Sequence, residues 1–314
     1  MKIGRAGGSW ASRWQGSVAV LLLAAALWVR LDSLDAFLTI DELQWRERSQ
    51  RFALALAQGN WSETYQSEHP GVITMWSGAL GLRLAQLAER HAPAGGPLAE
   101  ALGRLIHPRA PGVPAPTFWA RRVVALLTWL GLVLLHVLLR RLLGPAPALL
   151  AMALVALDPF LLAFSRLHHL DGLLATFTAL SVVSLLLFRK RRQGWSYLVL
   201  SAAMGGLAMA SKSPGFFLAP WVVATLLYWA LRGPRRGRGR ALLGALGAAA
   251  VWGLVAAAIV VAVWPATWRD PLQVLRLVEQ GALRQGLNPH ENLNYFLGRV
   301  VADPGPLFYP VAWA

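Results

Sequence analysis

The stretch VVALLTWLGLVLLHVLLRR, residues 123–141, decides the fold class of this chain. Residues 123–139 contain no Asp, Glu, Lys or Arg, and His136 is their one ionisable side chain. A helix needs about 20 residues of this kind to cross the hydrocarbon core of a bilayer, and runs near 17 still suffice. Arg140 and Arg141 follow directly, and basic residues flank the cytosolic ends of membrane spans. The stretch therefore predicts a membrane-spanning helix that ends in the cytosol.

Six further apolar runs accompany it. With 56% hydrophobic and 14% charged residues, the chain departs from soluble domains, which carry about 25% charged residues. We therefore predict an all-α, polytopic membrane protein. Its seven predicted spans are residues 14–31, 123–139, 147–162, 172–188, 195–210, 215–231 and 241–264.

The charges between the runs predict the orientation. Basic clusters follow the second, fourth and sixth spans and also precede the first, which places the N-terminus in the cytosol by the positive-inside rule. All fifteen Asp and Glu fall on the opposite side of this topology, with Asp158 near the outer end of the third span. We therefore expect a multi-pass protein of the cell membrane whose active face is outside.

A long first outer loop, residues 32–122, follows the first span at 1–31. Segment 72–87 is apolar enough to resemble a span, but counting it would place every later Arg cluster outside. We therefore predict that 72–87 and 42–57 are interfacial helices, with Trp76 and Leu80 facing lipid. The remaining divisions are six spans over 123–264, an outer loop at 265–305 with a helix over 270–279, and the start of another span at 306–314.

Charge and cysteine content exclude several function classes. The formal charge of +15 suggests a nucleic-acid partner, but the basic residues lie in short clusters beside apolar runs, and no zinc-finger or RNA-binding signature appears. We therefore expect no nucleic acid. The absence of cysteine excludes disulfides, iron–sulfur clusters and thiolate metal sites.

Four small polar clusters share the predicted outer side, and each has a bland interpretation. Asp41 is a candidate helix N-cap, and a loop such as Glu68-His69 can simply be solvated. Two adjacent His residues on a helix point apart, which disfavours a shared metal. Cations can pair with lipid headgroups or with a nearby carboxylate. The clusters are Asp41-Glu42, Glu68-His69-Pro70, Arg166 with His168, His169 and Asp171, and Ser211-Lys212-Ser213.

Taken together, the four clusters favour function. Polar residues at the ends of spans are usually functional or paired. A carboxylate can remove a proton from a hydroxyl group, and Arg and Lys can hold a phosphate. A face with both kinds of group suits a phosphate-linked substrate that lies in the membrane.

These residues also resemble a known family. The chain is similar over nearly its whole length to glycosyltransferases of the GT-C membrane fold, in the group of protein mannosyltransferases that use dolichyl-phosphate mannose and of aminoarabinose transferases (family 39). One departure is that Pro70 is followed by Gly71, where many relatives have a second proline. The matching segments are Asp41-Glu42, Glu68-His69-Pro70, Ala120-Arg121, residues 140–144, residues 163–171 and residues 206–212.

The resemblance implies sugar transfer from a polyprenyl-phosphate donor to a lipid, glycan or protein acceptor on the non-cytosolic face. It implies that Asp41 is the base and Glu42 its neighbour or an acceptor contact. A divalent cation stays open, because some relatives use one and others do not. The residues implied to line the donor phosphate or a metal site are Glu68, His69, Arg166, His169, Asp171 and Lys212.

Two other function classes remain alternatives. A secondary transporter or a flippase of lipid-linked sugars would carry ionisable groups and broken helices near the bilayer midplane, whereas these spans are nearly free of charge. A non-catalytic membrane scaffold is the third class. It would be insensitive to loss of the Asp41 carboxylate.

Overall fold

The computed structural model describes residues 6–90, 112–190, 194–234, 237–287 and 294–313. The described residues are predominantly helical, which confirms an all-α polytopic membrane protein. In chain order, the helices are α1 (Ala6–Leu31), α2 (Ile40–Gln58), α3 (Val72–Arg90), α4 (Ala115–Leu143), α5 (Pro145–Leu157), α6 (Pro159–Phe164), α7 (Asp171–Lys190), α8 (Trp195–Ser211), α9 (Leu218–Leu231), α10 (Arg238–Val263), α11 (Pro271–Leu287) and α12 (Phe308–Trp313).

Five of the described helices are long and apolar enough to cross a membrane. They are α1, α4, α7, α10 and the segment Ser213–Leu231, in which a short 3₁₀ turn leads into α9. The apolar helices α5 and α8 are shorter. The five long helices overlap five of the seven predicted spans. That α5 and α8 also cross the membrane, and on which side each helix ends, stay predictions.

The third predicted span is not one helix. Residues 147–162 were expected to be continuous, but α5 ends at Leu157 and α6 begins at Pro159. The residue before a proline is disfavoured in the α region, and proline has no N–H to donate. Asp158 caps the new helix, because its Oδ1 accepts a hydrogen bond of 2.7 Å from the N–H of Leu161.

The two predicted interfacial segments are helical. They form α2 and α3, and Gly81 of α3 lies against Pro116 and Ala120 at the beginning of α4. A Cβ at Gly81 would lie 2.6 Å from the backbone N of Ala120, so this crossing requires glycine. Trp76 and Leu80 are 40% and 48% exposed. Their contact with lipid stays a prediction.

The core lies among the long helices, where α7 packs on α8, α8 on α10, and α3 and α7 on α4. Two ends of this bundle can be distinguished by their contacts. At one end, which we name the acidic end, the N–H of Gly71 donates to the carbonyl of Ser211, and the Trp76 indole donates to the carbonyl of Val263. At the other end, the basic end, Arg141 donates to the hydroxyl of Tyr197.

The segment predicted as a second outer loop contains more structure than expected. A 3₁₀ turn at Pro265–Trp268 leads to α11, which is longer than the predicted helix over 270–279. A two-stranded antiparallel hairpin, β1 (Asn294–Phe296) and β2 (Arg299–Val301), follows. The hairpin turn at Leu297 and Gly298 has positive φ at both residues, +49° and +79°, which suits a two-residue turn between antiparallel strands.

Candidate functional site

An ionic cluster lies at the acidic end of the bundle and joins three of the four predicted polar clusters. We define it as Asp41, His169, Asp171 and Lys212. The His169 Nε2 lies 3.3 Å from Asp41 Oδ2, and its Nδ1 lies 3.3 Å from Asp171 Oδ2. The Lys212 ammonium donates to Asp171 Oδ1 over 2.7 Å. The imidazole therefore stands between two carboxylates, and the second carboxylate is held by a cation.

Exposure differs along this cluster. Asp41 is the most open member, with a side chain 65% exposed, whereas His169 is 13% exposed. Asp171 and Lys212 are 32% and 25% exposed. A neutral imidazole has only one N–H to donate, so a neutral His169 can satisfy only one of the two carboxylates. The cluster thus offers solvent an accessible carboxylate, with a partly sheltered ammonium farther along it.

The sequence offered Asp41 as a candidate helix N-cap, but the structure shows that it does not cap α2. The N-cap of α2 is Thr39, and Asp41 lies within the first turn. An acidic residue in the first turn still interacts favourably with the helix dipole. The carboxylate itself points to His169 and is therefore free for chemistry that a capping side chain could not perform.

Glu42 has a different environment from its neighbour. Its side chain is fully buried, and Arg121 of α4 donates to both of its oxygens, over 2.7 Å to Oε1 and 2.5 Å to Oε2. The N–H of His168 donates to Oε1 over 2.9 Å, and both the N–H and the hydroxyl of Thr39 donate to Oε2. Burial favours the neutral acid, but these hydrogen bonds and the guanidinium charge outweigh it and lower the pKa of Glu42.

The enclosure of Glu42 argues against the expected acceptor contact. Every hydrogen bond to its oxygens comes from inside the protein, and no part of the side chain reaches solvent. Through these bonds Glu42 joins the beginning of α2, which carries Asp41, to the turn that carries His169. The role of Glu42 in acceptor binding stays a prediction that the burial disfavours.

Arg121 is the partner of Glu42, and the sequence indicated it only as part of the Ala120-Arg121 segment. Its side chain is 2% exposed, and besides Glu42 it donates to the backbone carbonyls of Leu34 and Phe37. A buried charge in an apolar helix is tolerated when it is paired and hydrogen-bonded. An arginine at the beginning of an otherwise apolar span therefore indicates a buried ion pair, although the sequence does not reveal which carboxylate is its partner.

His168 was grouped with His169 but points inward. It is 1% exposed, and its Nε2 donates to the backbone carbonyl of Thr74 over 2.9 Å. Burial lowers the pKa of the imidazole to about 4, even though the Thr74 carbonyl favours the protonated ring. His168 therefore fixes the turn between α6 and α7 onto α3 as a neutral side chain, while His169 faces the ionic cluster.

His69 adjoins the ionic cluster through the segment after α8. Its Nδ1 lies 3.2 Å from the hydroxyl of Ser213, directly after Lys212. Burial lowers the pKa of His69, and the positive charges of Lys212 and Arg48 lower it further, against the opposing effect of Glu68 and Asp171. His69 is therefore a neutral group beside the cation of the cluster.

Gly71 explains the departure from the second proline of related sequences. Its φ is +59°, and its N–H donates to the Ser211 carbonyl over 3.1 Å. Proline can satisfy neither condition, because its ring fixes φ near −65° and removes the N–H. A Cβ at this position would also lie 2.3 Å from the Trp45 ring. The glycine thus anchors the turn that carries His69 against the end of α8.

Two predicted site residues lie apart from these contacts. Glu68 forms an ion pair with Arg284 of α11, with 2.8 Å between Oε1 and Nη2, at the rim of the site. Arg166 donates to the backbone carbonyl of Asp32. Burial lowers its pKa, opposed by the Asp32 carboxylate and reinforced by the charge of Arg121. Their expected roles at a donor phosphate stay predictions.

The open question of a divalent cation can be addressed by the donor set. Among the described residues, no group of three or more His, Asp or Glu side chains could hold a metal ion. In the ionic cluster both nitrogens of His169 already face carboxylates, and Lys212 occupies one oxygen of Asp171. These residues therefore do not fit a metal centre.

The chain was compared with known protein families, curated proteins and solved structures. A family model described as dolichyl-phosphate-mannose-protein mannosyltransferase matches residues 115–265, just under half of the chain. The matched segment runs from α4 through α10 and contains Arg121, His169, Asp171 and Lys212, whereas Asp41 lies before it. No curated protein and no solved structure matches the chain. Over this segment the chain is therefore similar to a family of membrane glycosyltransferases.

Proposed function

We propose that this protein is a membrane glycosyltransferase that moves a sugar from a polyprenyl-phosphate donor to an acceptor hydroxyl, with Asp41 as the base. The observation that carries the proposal is the ionic cluster, in which an exposed carboxylate and a lysine ammonium are linked through His169 and Asp171. The family match over residues 115–265 supports the reaction class. The clustering of acids at this end supports an active face outside the cytosol.

The reaction requires few groups. Asp41 accepts the proton of the acceptor hydroxyl while the acceptor oxygen forms a bond to the anomeric carbon of the sugar. The bond from that carbon to the phosphate oxygen breaks, and the polyprenyl phosphate leaves with the electron pair. Phosphate is a good leaving group, so a cation that stabilises its charge is sufficient. Lys212 is the cation of the cluster and supplies this stabilisation.

His169 and Asp171 have supporting roles in this proposal. His169 orients the Asp41 carboxylate through its Nε2, and Asp171 holds both the imidazole and the ammonium. An incoming phosphate would compete with Asp171 for Lys212. We expect Lys212→Gln to weaken donor binding and Asp171→Asn to leave it intact or to tighten it, as measured by displacement of a labelled polyprenyl-phosphate sugar.

The decisive experiment uses membranes that contain the full-length protein and a panel of labelled polyprenyl-phosphate sugars. Covalent transfer of the label to a molecule other than the donor, in wild type but not in Asp41→Asn, is the expected result. A transporter or flippase would instead move the labelled donor across the bilayer without forming a new bond. Movement without transfer would therefore overturn the enzymatic proposal.

A further inference from the structure

The basic end of the bundle contains a second site, unrelated to the ionic cluster. A groove of about 780 Å³ opens there between the end of α7, the end of α9 and the beginning of α10. Its floor is apolar and includes the buried side chains of Phe188, Leu226, Ala230 and Ala245. Small residues of α9 and α10 keep the two helices from filling the space between them.

The rim of the groove is cationic. Arg189, Lys190 and Arg240 line it, and none of the described residues that line it is acidic. Lys190 is already engaged, because its ammonium donates to the backbone carbonyls of Arg141 and Leu142 at the end of α4. Arg189 and Arg240 are exposed, and the Arg189 guanidinium lies 5.7 Å from the centroid of the Trp229 ring. Among the residues that the structure describes, neither arginine has a carboxylate partner, and both face the groove.

We propose that this groove binds an anionic phospholipid, with the headgroup phosphate on Arg189 and Arg240 and an acyl chain along the apolar floor. Guanidinium groups bind phosphate oxygens in bidentate geometry, and basic pockets between membrane helices bind anionic headgroups. A free inorganic anion would satisfy the arginines but would leave the apolar floor unused. The combination of rim and floor matches a lipid, independently of the proposed enzymatic function.

Gly244 provides a way to close the groove without changing its charge. It lines the groove, and a Cβ at this position would meet no atom within 4 Å. Gly244→Leu therefore fills empty space instead of creating a clash. Gly247, one turn later on α10, has equally open surroundings and does not line the groove. Gly247→Leu is the matched control, since both changes alter helix propensity equally.

The test uses full-length protein purified in detergent, with phosphatidylglycerol, phosphatidylcholine or inorganic phosphate as the probe. Retained lipid is counted by native mass spectrometry, and the thermal midpoint is followed at each probe concentration. We expect phosphatidylglycerol alone to bind and to raise the midpoint. The double variant Arg189→Gln/Arg240→Gln should weaken this binding by at least about tenfold, as expected for two basic residues near a headgroup. Gly244→Leu should weaken it by a similar factor.

Five outcomes would overturn the proposal. One is binding of phosphatidylglycerol by the double variant at the wild-type level. Another is an equal loss of binding in Arg140→Gln/Arg141→Gln, which removes equal charge from the end of α4. An equal effect of inorganic phosphate would indicate a free-anion site. Unchanged binding in Gly244→Leu, or an equal loss of binding in Gly247→Leu, would show that the lipid does not bind in the groove.

Discussion

Asp41 and Glu42 are consecutive residues of one helix, yet their carboxylates have opposite environments. The Asp41 side chain is 65% exposed and lies 3.3 Å from the His169 imidazole, whereas that of Glu42 is fully enclosed. Because successive helix positions are rotated by about 100°, one side chain faces the site while its neighbour faces the packed interior. The sequence motif suggests that both residues belong to the active site, but only the Asp41 carboxylate is accessible to a substrate.

The same contrast appears between two pairs of opposite charge. Arg121 and Glu42 are 2% and 0% exposed and form two charge-assisted hydrogen bonds. Arg284 and Glu68 meet at 2.8 Å with exposures of 66% and 32%. Breaking a buried pair leaves an uncompensated charge, while solvent compensates the loss of an exposed one. Variants of Asp41 and of the buried and exposed ion pairs can therefore test whether exposure decides the role of each carboxylate.

The largest expected effect is on catalysis. Asp41→Asn preserves the size of the side chain and its contact with His169 but removes the base, which typically costs about 10²–10⁴ in rate. We expect normal expression, normal donor binding and nearly complete loss of label transfer. Glu47→Gln, an exposed carboxylate on the same helix, is the matched control and should retain full activity. Retention of more than about a tenth of the wild-type turnover in Asp41→Asn, where chemistry limits the rate, would exclude it as the base.

The second effect is on stability. Arg121→Met strands the Glu42 carboxylate in the interior, which is expected to destabilise the protein by about 3–5 kcal/mol. The thermal midpoint in detergent should fall sharply, and Arg121→Met/Glu42→Gln should recover part of the loss by removing the stranded charge. Arg51→Met breaks an exposed pair with Glu47 at 3.7 Å and should change little. Equal midpoints for Arg121→Met and Arg51→Met would contradict the assignment of the buried pair.

The length and apolar content of the runs were sufficient to predict the helical class of the fold. Residues 123–139 lie within one helix, and the other apolar runs are mainly helical, because a continuous apolar stretch has few alternatives to a membrane helix. The error within 147–162 arose because hydropathy ignores backbone chemistry, and Asp158-Pro159 breaks the helix inside an apolar run. The hairpin at 294–301 was missed because its short strands lack a clear alternating pattern.

The candidate site could be predicted only in part. Loop order placed Asp41, His169, Asp171 and Lys212 at one end of the bundle, and the structure brings these four into contact. The pairing of Glu42 with Arg121 joins residues 79 positions apart, and no local pattern encodes such a contact. The opposite orientations of His168 and His169 likewise depend on how the turn packs against α3.

A third, smaller effect concerns pH. His168 is neutral in the folded protein, with a pKa lowered to about 4 from 6.5, so the unfolded chain binds more protons between these values. Its stabilising contribution is complete above about pH 6.5 and is lost as the pH falls towards 4, by up to about 1.4 kcal/mol per pH unit.

His168→Gln tests this prediction, because the Gln amide can still donate to the Thr74 carbonyl but does not titrate. The difference in thermal midpoint between pH 7 and pH 5 should be smaller in this variant than in wild type. His69, whose pKa is also lowered by burial, acts in the same direction and should preserve part of the slope. An unchanged slope in His168→Gln would show that His168 does not titrate in this range.

The smallest expected effect is at the exposed pair of Glu68 and Arg284. Glu68→Gln keeps the shape that packs against Gly281, where a Cβ would lie 2.5 Å from Glu68 Cβ, so only the charge is lost. Surface ion pairs contribute about 0–1 kcal/mol, and we expect a shift of the thermal midpoint below about 4 °C. Arg284→Gln should give the same small shift. If Glu68 serves only this pair, both variants keep their transfer activity. A loss of activity in Glu68→Gln but not in Arg284→Gln, at equal midpoints, would instead place the Glu68 carboxylate with Asp41 among the groups that act on the substrate, as the resemblance implies.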